Sequence, residues 1–186
     1  MALEVVFLDR DGTLNVERDE WLTRPKQLEL LPGAAAAVAR LNAAGMWVVV
    51  VTNQSAIARG LLDDDGLAAI HERLADLLLE SGAWLDAVLV CPHGPDDDCD
   101  CRKPRPGLLQ WAAREMGFDL GAAVMVGDAE RDLAAGRAAG CAATILVRSG
   151  QGAAAEADLA GTEAAPTVVV DDLAAAVDWI LERCAC

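Results

Sequence analysis

The chain has 186 residues, 54% of them hydrophobic, and carries 30 acidic against 15 basic side chains for a formal charge of -15. That balance argues against broad binding to nucleic acid or to anionic membranes, since both depend on attraction to phosphate. No N-terminal basic and apolar signal is visible, and no apolar run approaches the roughly 18 residues of a membrane span, so one cytoplasmic, enzyme-sized domain with a single core is expected over residues 1–186.

In chain order, strands and helices alternate with turn punctuation, the pattern of a parallel sheet covered on both faces. Strand Glu4–Leu8 leads through an irregular segment to Leu31-Pro32-Gly33 and a helix Ala34–Ala44 that stops at Gly45. Strand Trp47–Thr52 follows. Asp63-Asp64-Asp65 offers an N-cap and favourable charge to a helix running to about Ser81, and strand Asp86–Val90 comes next. After a Cys-bearing loop, Pro106 opens a helix to Met116 with Gly117 beyond it. Strand Ala123–Val126 ends in Gly127-Asp128, helix Glu130–Ala139 ends at Gly140, and strand Ala142–Val147 follows. A Gly/Ala-rich connection, Ser149–Pro166, reads as a surface loop with some helix before strand Thr167–Val170 and helix Leu173–Arg183. The fold class is therefore α/β, a doubly wound parallel sheet.

Four groups of chemistry-bearing residues fall at the carboxyl ends of these strands, the edge where open α/β sheets bind ligands. Asp9 and Asp11 end the first strand, Thr52-Asn53 the second, Arg102-Lys103 lie in the loop after the third, and Gly127-Asp128 end the fourth. Two carboxylates with a cation and a hydroxyl donor suit phosphoryl transfer, in which the anionic ester must be offset by charge while a nucleophile is held in line.

The loop Cys91-Pro92-His93-Gly94-Pro95-Asp96-Asp97-Asp98-Cys99-Asp100-Cys101 carries a second signal. Three thiolates and an imidazole (Cys91, His93, Cys99 and Cys101) suit tetrahedral Zn²⁺ with all four positions filled by protein, which makes the ion structural rather than hydrolytic. Cys141 reads as a small buried hydrophobe, and Cys184 with Cys186 closes the C-terminal tail.

Asp9-x-Asp11-Gly12-Thr13, Thr52-Asn53, Lys103-Pro104 and Gly127-Asp128-x-x-x-Asp132 resemble the four ordered motifs of the haloacid dehalogenase superfamily. The resemblance implies a Rossmann-like sheet in which Asp9 attacks phosphorus and Asp11 protonates the leaving oxygen and then activates water. It implies Mg²⁺ held by Asp9, Asp128 and the main-chain carbonyl of Asp11, with Asp132 orienting that shell, and Thr52 and Lys103 on the phosphoryl group. The intervals between motifs are filled by core elements and leave no separate cap domain, so the site is expected to be open, walled only by Asn15–Leu31, including Trp21, and by the zinc loop.

Within the superfamily, Asp9–Asn15, Val51–Gly60, Cys91-Pro92-His93 and Cys99–Pro104 are similar to the D-glycero-D-manno-heptose-1,7-bisphosphate 7-phosphatases. This implies a small sugar bisphosphate as substrate, in a route toward nucleotide-activated heptose for lipopolysaccharide core, with Thr52, Asn53, Gln54, Ser55, Arg102 and Arg59 as substrate contacts. A monomer is expected. Two features depart from the pattern. Ala56 stands where Gly is common, and the short gap between His93 and Cys99 resembles histidinol-phosphate phosphatases as much as the heptose enzymes. Histidinol phosphate is thus the alternative substrate. A polynucleotide end phosphatase and a non-catalytic zinc-bearing interaction domain are more remote readings, opposed by the acidic charge and by the intact Asp9/Asp11/Lys103/Asp128 set.

Overall fold

Val48, Val49, Val50 and Val51 are all wholly buried, which a strand achieves only when both of its faces are covered. The computed structural model, which describes residues 3–184, builds this run into β2 (Trp47–Asn53) of a six-stranded sheet. With β1 (Val5–Leu8), β3 (Ala87–Cys91), β4 (Ala123–Gly127), β5 (Ala143–Val147) and β6 (Val168–Val170), the order is β3-β2-β1-β4-β5-β6, and every pairing is parallel.

The period of two along each strand sorts the core into two layers. Val6, Leu8, Val48, Val50, Val124 and Val126 pack on one face with α1 (Ala34–Ala43), α3 (Asp64–Leu79) and α7 (Leu173–Cys184). Val5, Phe7, Val49, Val51, Ala123 and Met125 pack on the other face with α4 (Gly107–Met116) and α5 (Glu130–Ala139). Helix α3 shows how the sequence dictates such an element. The Asp63 carboxylate accepts from the Gly66 amide at 2.8 Å, Asp64 and Asp65 complement the dipole, and Leu67, Ile70, Leu74 and Leu78 form one buried stripe.

The remaining helices are α2 (Ser55–Ala58) and α6 (Gly152–Leu159), and a short 3₁₀ turn lies at Pro25–Gln27. Helix α6 resolves the Gly/Ala-rich connection that the sequence read as loop with some helix. Helix α2 is a single turn directly after β2 and buries Ser55 and Ala56, so the Ala for Gly departure is accommodated within a helix. The irregular stretch after β1 is tied to itself by backbone hydrogen bonds, among them Val16 N to Glu29 O and Leu31 N to Leu14 O, both 2.9 Å. Cys141 is partly buried against the second core layer, and the Cys184 thiol donates to Leu3 O at 3.5 Å, while Cys186 lies outside the described residues. Among the described residues no helix is long and apolar enough to cross a membrane, and no inserted domain covers the sheet edge.

The chain winds outward from β1 to β3 and then returns to place β4 on the other side of β1. The carboxyl ends of β1 and β4 therefore flank the switch point, and Asp9 and Asp128 sit one residue beyond them.

Candidate active site

Asp9 and Asp11 project from the turn that ends β1 into different environments. The Asp9 carboxylate is buried, and its Oδ1 accepts from the Arg10 amide at 2.7 Å and pairs with Lys103 Nζ at 2.8 Å. Burial, with Asp132 and Asp11 nearby, pushes Asp9 up to about 6 against the opposing pull of Lys103. Burial also acts to raise Asp11, but the Arg10 charge and hydrogen bonds from Asn15, Gln54 and Arg10 outweigh it and hold Asp11 below the usual carboxylate range. The Arg10 fork grips both Asp11 oxygens, at 3.1 and 2.8 Å from NH2, and Asn15 Nδ2 adds a third donor at 2.9 Å. Arg10 NH1 donates to His71 Nε2 at 3.3 Å, so that ring is neutral, and burial together with Arg10 depresses it to about 4.

Gln54 Nε2 bridges Asp11 Oδ2 at 2.9 Å and Thr52 Oγ1 at 2.8 Å, coupling the end of β2 to the acid of β1. Asn53 receives the loop that carries Lys103. Its Nδ2 donates to Lys103 O at 3.0 Å, and its Oδ1 accepts from Lys103 N at 3.1 Å. Lys103 Nζ, buried like the rest of that residue, then contacts Asp9 Oδ1, Asp132 Oδ1 at 2.7 Å and Val51 O at 2.7 Å. Two of these contacts are ion pairs with carboxylates, and those charges outweigh burial to raise its pKa.

Asp9, Asp128 and Asp132 each bring a carboxylate oxygen to within 4.8 Å of the others. Asp132 Oδ2 accepts from the Ala129 amide at 3.1 Å, and its Oδ1, without a hydrogen bond, lies 2.7 Å from Lys103 Nζ as an ion pair. Asp128 makes no ion pair among the described residues. Its Oδ2 accepts from Gln151 N at 2.9 Å, but Oδ1 is buried without a hydrogen-bond partner. Burial and the Asp9 charge push Asp128 up to about 8. An orphaned carboxylate oxygen among acids that resist ionisation is a site short of one cation, and hard oxygen donors fit Mg²⁺. Gly12 and Gly150 close over it at positive φ (82° and 57°), and a Cβ on either would fall on Asp128 Oδ2.

Above these groups lies a cavity of about 290 Å³ lined by Asp9, Asp11, Thr52, Asn53, Gln54, Ser55, Arg102 and Lys103. Every predicted catalytic residue thus meets in one place, with Trp21 forming part of the wall. Arg59 does not line the cavity, and its guanidinium lies 5.5 Å over the Trp21 ring instead. Gln54 has its amide nitrogen committed to Asp11 and Thr52, and Arg102 NH1 is held by Ser55 Oγ at 2.9 Å and His93 O at 3.1 Å. Sequence reasoning missed Arg10, His71, Glu17, Gln151 and Arg131. Arg131, in the first turn of α5, also lines the cavity, whereas none of residues 91–101 does, so the wall expected from that loop is formed instead by Arg102 and Lys103 just after it and by α5. The signal for Arg131 was its place inside the Gly127–Asp132 motif.

The zinc loop closes on itself as expected. Cys91, His93, Cys99 and Cys101 converge within 4.8 Å, with Cys91–Cys99 sulfurs 3.8 Å apart, Cys91–Cys101 sulfurs 3.3 Å, and His93 Nδ1 3.5 Å from Cys91 and 3.2 Å from Cys101. Those separations exceed the roughly 2.05 Å of a disulfide and approach the ~3.7 Å edge of a tetrahedron drawn with Zn–S near 2.3 Å. Burial and the neighbouring thiols push Cys101 up to about 12 and burial raises Cys91, whereas burial at Cys99 is outweighed by hydrogen bonds from the backbone and the neighbouring thiols, which lower it. Because Cys91 is the last residue of β3 and Arg102 follows Cys101, the cluster ties Arg102 to the sheet.

Residues 100–176 match the family model described as "HAD-hyrolase-like". The chain is 43% identical over 97% of its length to a D-glycero-beta-D-manno-heptose-1,7-bisphosphate 7-phosphatase of Bordetella bronchiseptica, covering 99% of that protein. It is 41% identical over 98% of its length to a protein of the same name from Pseudomonas aeruginosa, covering 100% of that protein. The crystal structure of the D,D-heptose 1,7-bisphosphate phosphatase from B. bronchiseptica, complexed with magnesium and phosphate, superposes with a TM-score of 0.91 over 97% of this chain and 99% of that one, at 43% identity. None of these relatives carries the histidinol-phosphate name. Across nearly its whole length this chain belongs to the D-glycero-D-manno-heptose-1,7-bisphosphate 7-phosphatase family of HAD-like hydrolases.

Proposed function

We propose that this chain is a Mg²⁺-dependent phosphatase that removes the 7-phosphate of D-glycero-D-manno-heptose 1,7-bisphosphate through an aspartyl-phosphate on Asp9. The observation that carries the reading is the asymmetry of Asp9. Its Oδ1 is taken by Lys103 and the Arg10 amide, which leaves Oδ2 as the attacking oxygen, with a second acid, Asp11, in the same cavity.

Attack by Oδ2 forms the new P–O bond while the bond from phosphorus to the sugar oxygen breaks, and Asp11 delivers a proton to that oxygen. Asp11 is held ionised at rest by Arg10, and the negative charge of the arriving phosphate raises its pKa so that it carries the proton. As a carboxylate again, Asp11 takes a proton from the water that attacks phosphorus and frees Asp9. Thr52 and Lys103 hold the phosphoryl oxygens. Asp9, Asp128 and the main-chain carbonyl of Asp11 would hold Mg²⁺, which when bound offsets the charge between carboxylate and phosphate.

Zinc at Cys91, His93, Cys99 and Cys101 is structural in this reading, with Ser55 and Arg102 on the sugar side of the cavity. The whole chain acts as one catalytic unit in the cytoplasm, as a monomer. The relatives' names specify the β anomer, and we extend that preference to this chain. The test is phosphate release with Mg²⁺ from both anomers of the bisphosphate and from histidinol phosphate. The reading expects kcat/KM for the β-bisphosphate to exceed that for histidinol phosphate by at least about tenfold, roughly 1.4 kcal/mol of transition-state discrimination. A tenfold preference for histidinol phosphate overturns it.

A further inference from the structure

Five cations line the active-site cavity, namely Arg10, Arg18, Arg102, Lys103 and Arg131. Four are committed. Arg10 holds Asp11 and His71, and Lys103 holds Asp9, Asp132 and Val51 O. Arg18 donates to Gln27 O at 2.8 Å and pairs with Glu29 at 3.8 Å, while Arg102 NH1 donates to Ser55 Oγ and His93 O. Arg131 is half-buried, yet among the described residues it makes no hydrogen bond and no ion pair.

A guanidinium offers five donors in a planar fork, and removing it partly from water without partners is costly. The carboxylates of Asp132, Asp9, Asp128 and Glu17 attract its charge strongly enough to outweigh burial, but among the described residues none of them meets its fork in a hydrogen bond or ion pair. Asp132 is engaged by Lys103 and the Ala129 amide, Asp128 Oδ2 accepts from Gln151 N, and Glu17 Oε1 accepts from Gln151 Nε2 at 2.6 Å. A planar, unengaged fork on a cavity wall matches the geometry of a phosphate accepted through two oxygens. The phosphoryl group under attack falls to Thr52, Lys103 and the cation that the acid cluster would hold.

We propose that Arg131 grips the phosphate that is not cleaved, the one on the anomeric carbon, and thereby selects a sugar bisphosphate and fixes which of its ends reaches Asp9. This rests on the heptose bisphosphate reading above. It assigns Arg131 to substrate binding and leaves Arg102, oriented by Ser55 and the zinc loop, to the sugar.

The experiment compares the wild type with Arg131→Ala, Arg131→Met and Arg131→Lys on heptose 1,7-bisphosphate and on heptose 7-phosphate, at saturating Mg²⁺, with Tm recorded for each. The expected result is that Ala and Met lower the ratio of kcat/KM for bisphosphate over monophosphate by about 10–100-fold, mostly through KM, as for loss of charged hydrogen bonds. Lys, which keeps the charge but not the fork, should recover part of the ratio. Met retains bulk if Ala perturbs the fold. An unchanged ratio overturns the proposal, whether both substrates suffer equally, as they would if Arg131 only offset the charge of the acid cluster, or neither does. If the wild type releases no phosphate from the bisphosphate, the underlying reading falls and the proposal with it, an outcome separate from an active wild type with an unchanged ratio.

Discussion

Above about pH 4 and up to their folded values, Asp128 and Asp9 bind protons more tightly in the folded chain than in the unfolded one, because burial and the charges of neighbouring acids raise them to about 8 and about 6 from 3.8. A raised folded-state pKa contributes stability at low pH that is lost as pH climbs through the folded value. For the metal-free protein this contribution therefore fades between about pH 4 and pH 8 as these carboxylates ionise against one another. Mg²⁺ replaces the proton. Its apparent affinity should thus rise with pH, by about tenfold per unit below pH 8 for each proton displaced. Thermal melts with and without Mg²⁺ check this directly, with a larger shift in Tm expected at pH 8 than at pH 5.5. An equal shift at both would place the ion away from Asp128. The acids themselves were legible in the sequence, since chain order alone marked Asp9, Asp11, Thr52, Lys103 and Asp128. What surrounds them was not. Arg10 sits inside the first motif, but nothing in its position tells that its side chain folds back on Asp11. His71 reaches it from α3, sixty-one residues along the chain.

The β3–α4 connection is the element in which two functions meet. Cys91 is fixed by its pairing with Asn53 at the end of β2, and the same Asn53 side chain clasps the backbone of Lys103. The segment 92–102 between these anchors has little regular structure, so an ion bound there would supply the constraint that a hydrophobic core supplies elsewhere. Cys101→Ser should abolish stoichiometric zinc and destabilise the protein by about 2 kcal/mol or more, roughly 4–8 °C in Tm for a chain of this size. Arg102 loses its orientation with it, so KM should rise. Metal analysis and melting of the two proteins decide the matter, and equal zinc content with equal Tm would remove the four-ligand site. The loop was readable because its ligands are contiguous. Most strands and helices were readable for a similar reason, through Val-rich runs and Gly stops. Helix α2 was not, because four residues make one turn and carry no period. Helix α6 has so many alanines that no apolar stripe separates it from a surface loop.

For the molecule as a whole, the sheet order sets what chemistry is available. Reversal of winding at β1 opens a crevice beside β4, and Asp9, Asp128 and Lys103 all come to that crevice from separate strands or loops. With no inserted domain above it, the cavity is walled by the segment after β1, the loop following the zinc cluster and the first turn of α5. The net charge of -15 surrounds this small opening, whose own lining mixes acids and bases, with repulsion for long polyanions, which disfavours a nucleic-acid end. In the proposed reaction one atom acts on one bond, Asp9 Oδ2 on the phosphorus at position 7. Phosphorus NMR of heptose 1,7-bisphosphate incubated with Mg²⁺ and either the wild type or Asp9→Asn tests both halves at once. The wild type should convert only the 7-phosphate signal to inorganic phosphate, and Asp9→Asn should be slower by at least about a thousandfold with its fold intact. Loss of the 1-phosphate signal first, or release by Asp9→Asn at the rate of the wild type, would contradict the account.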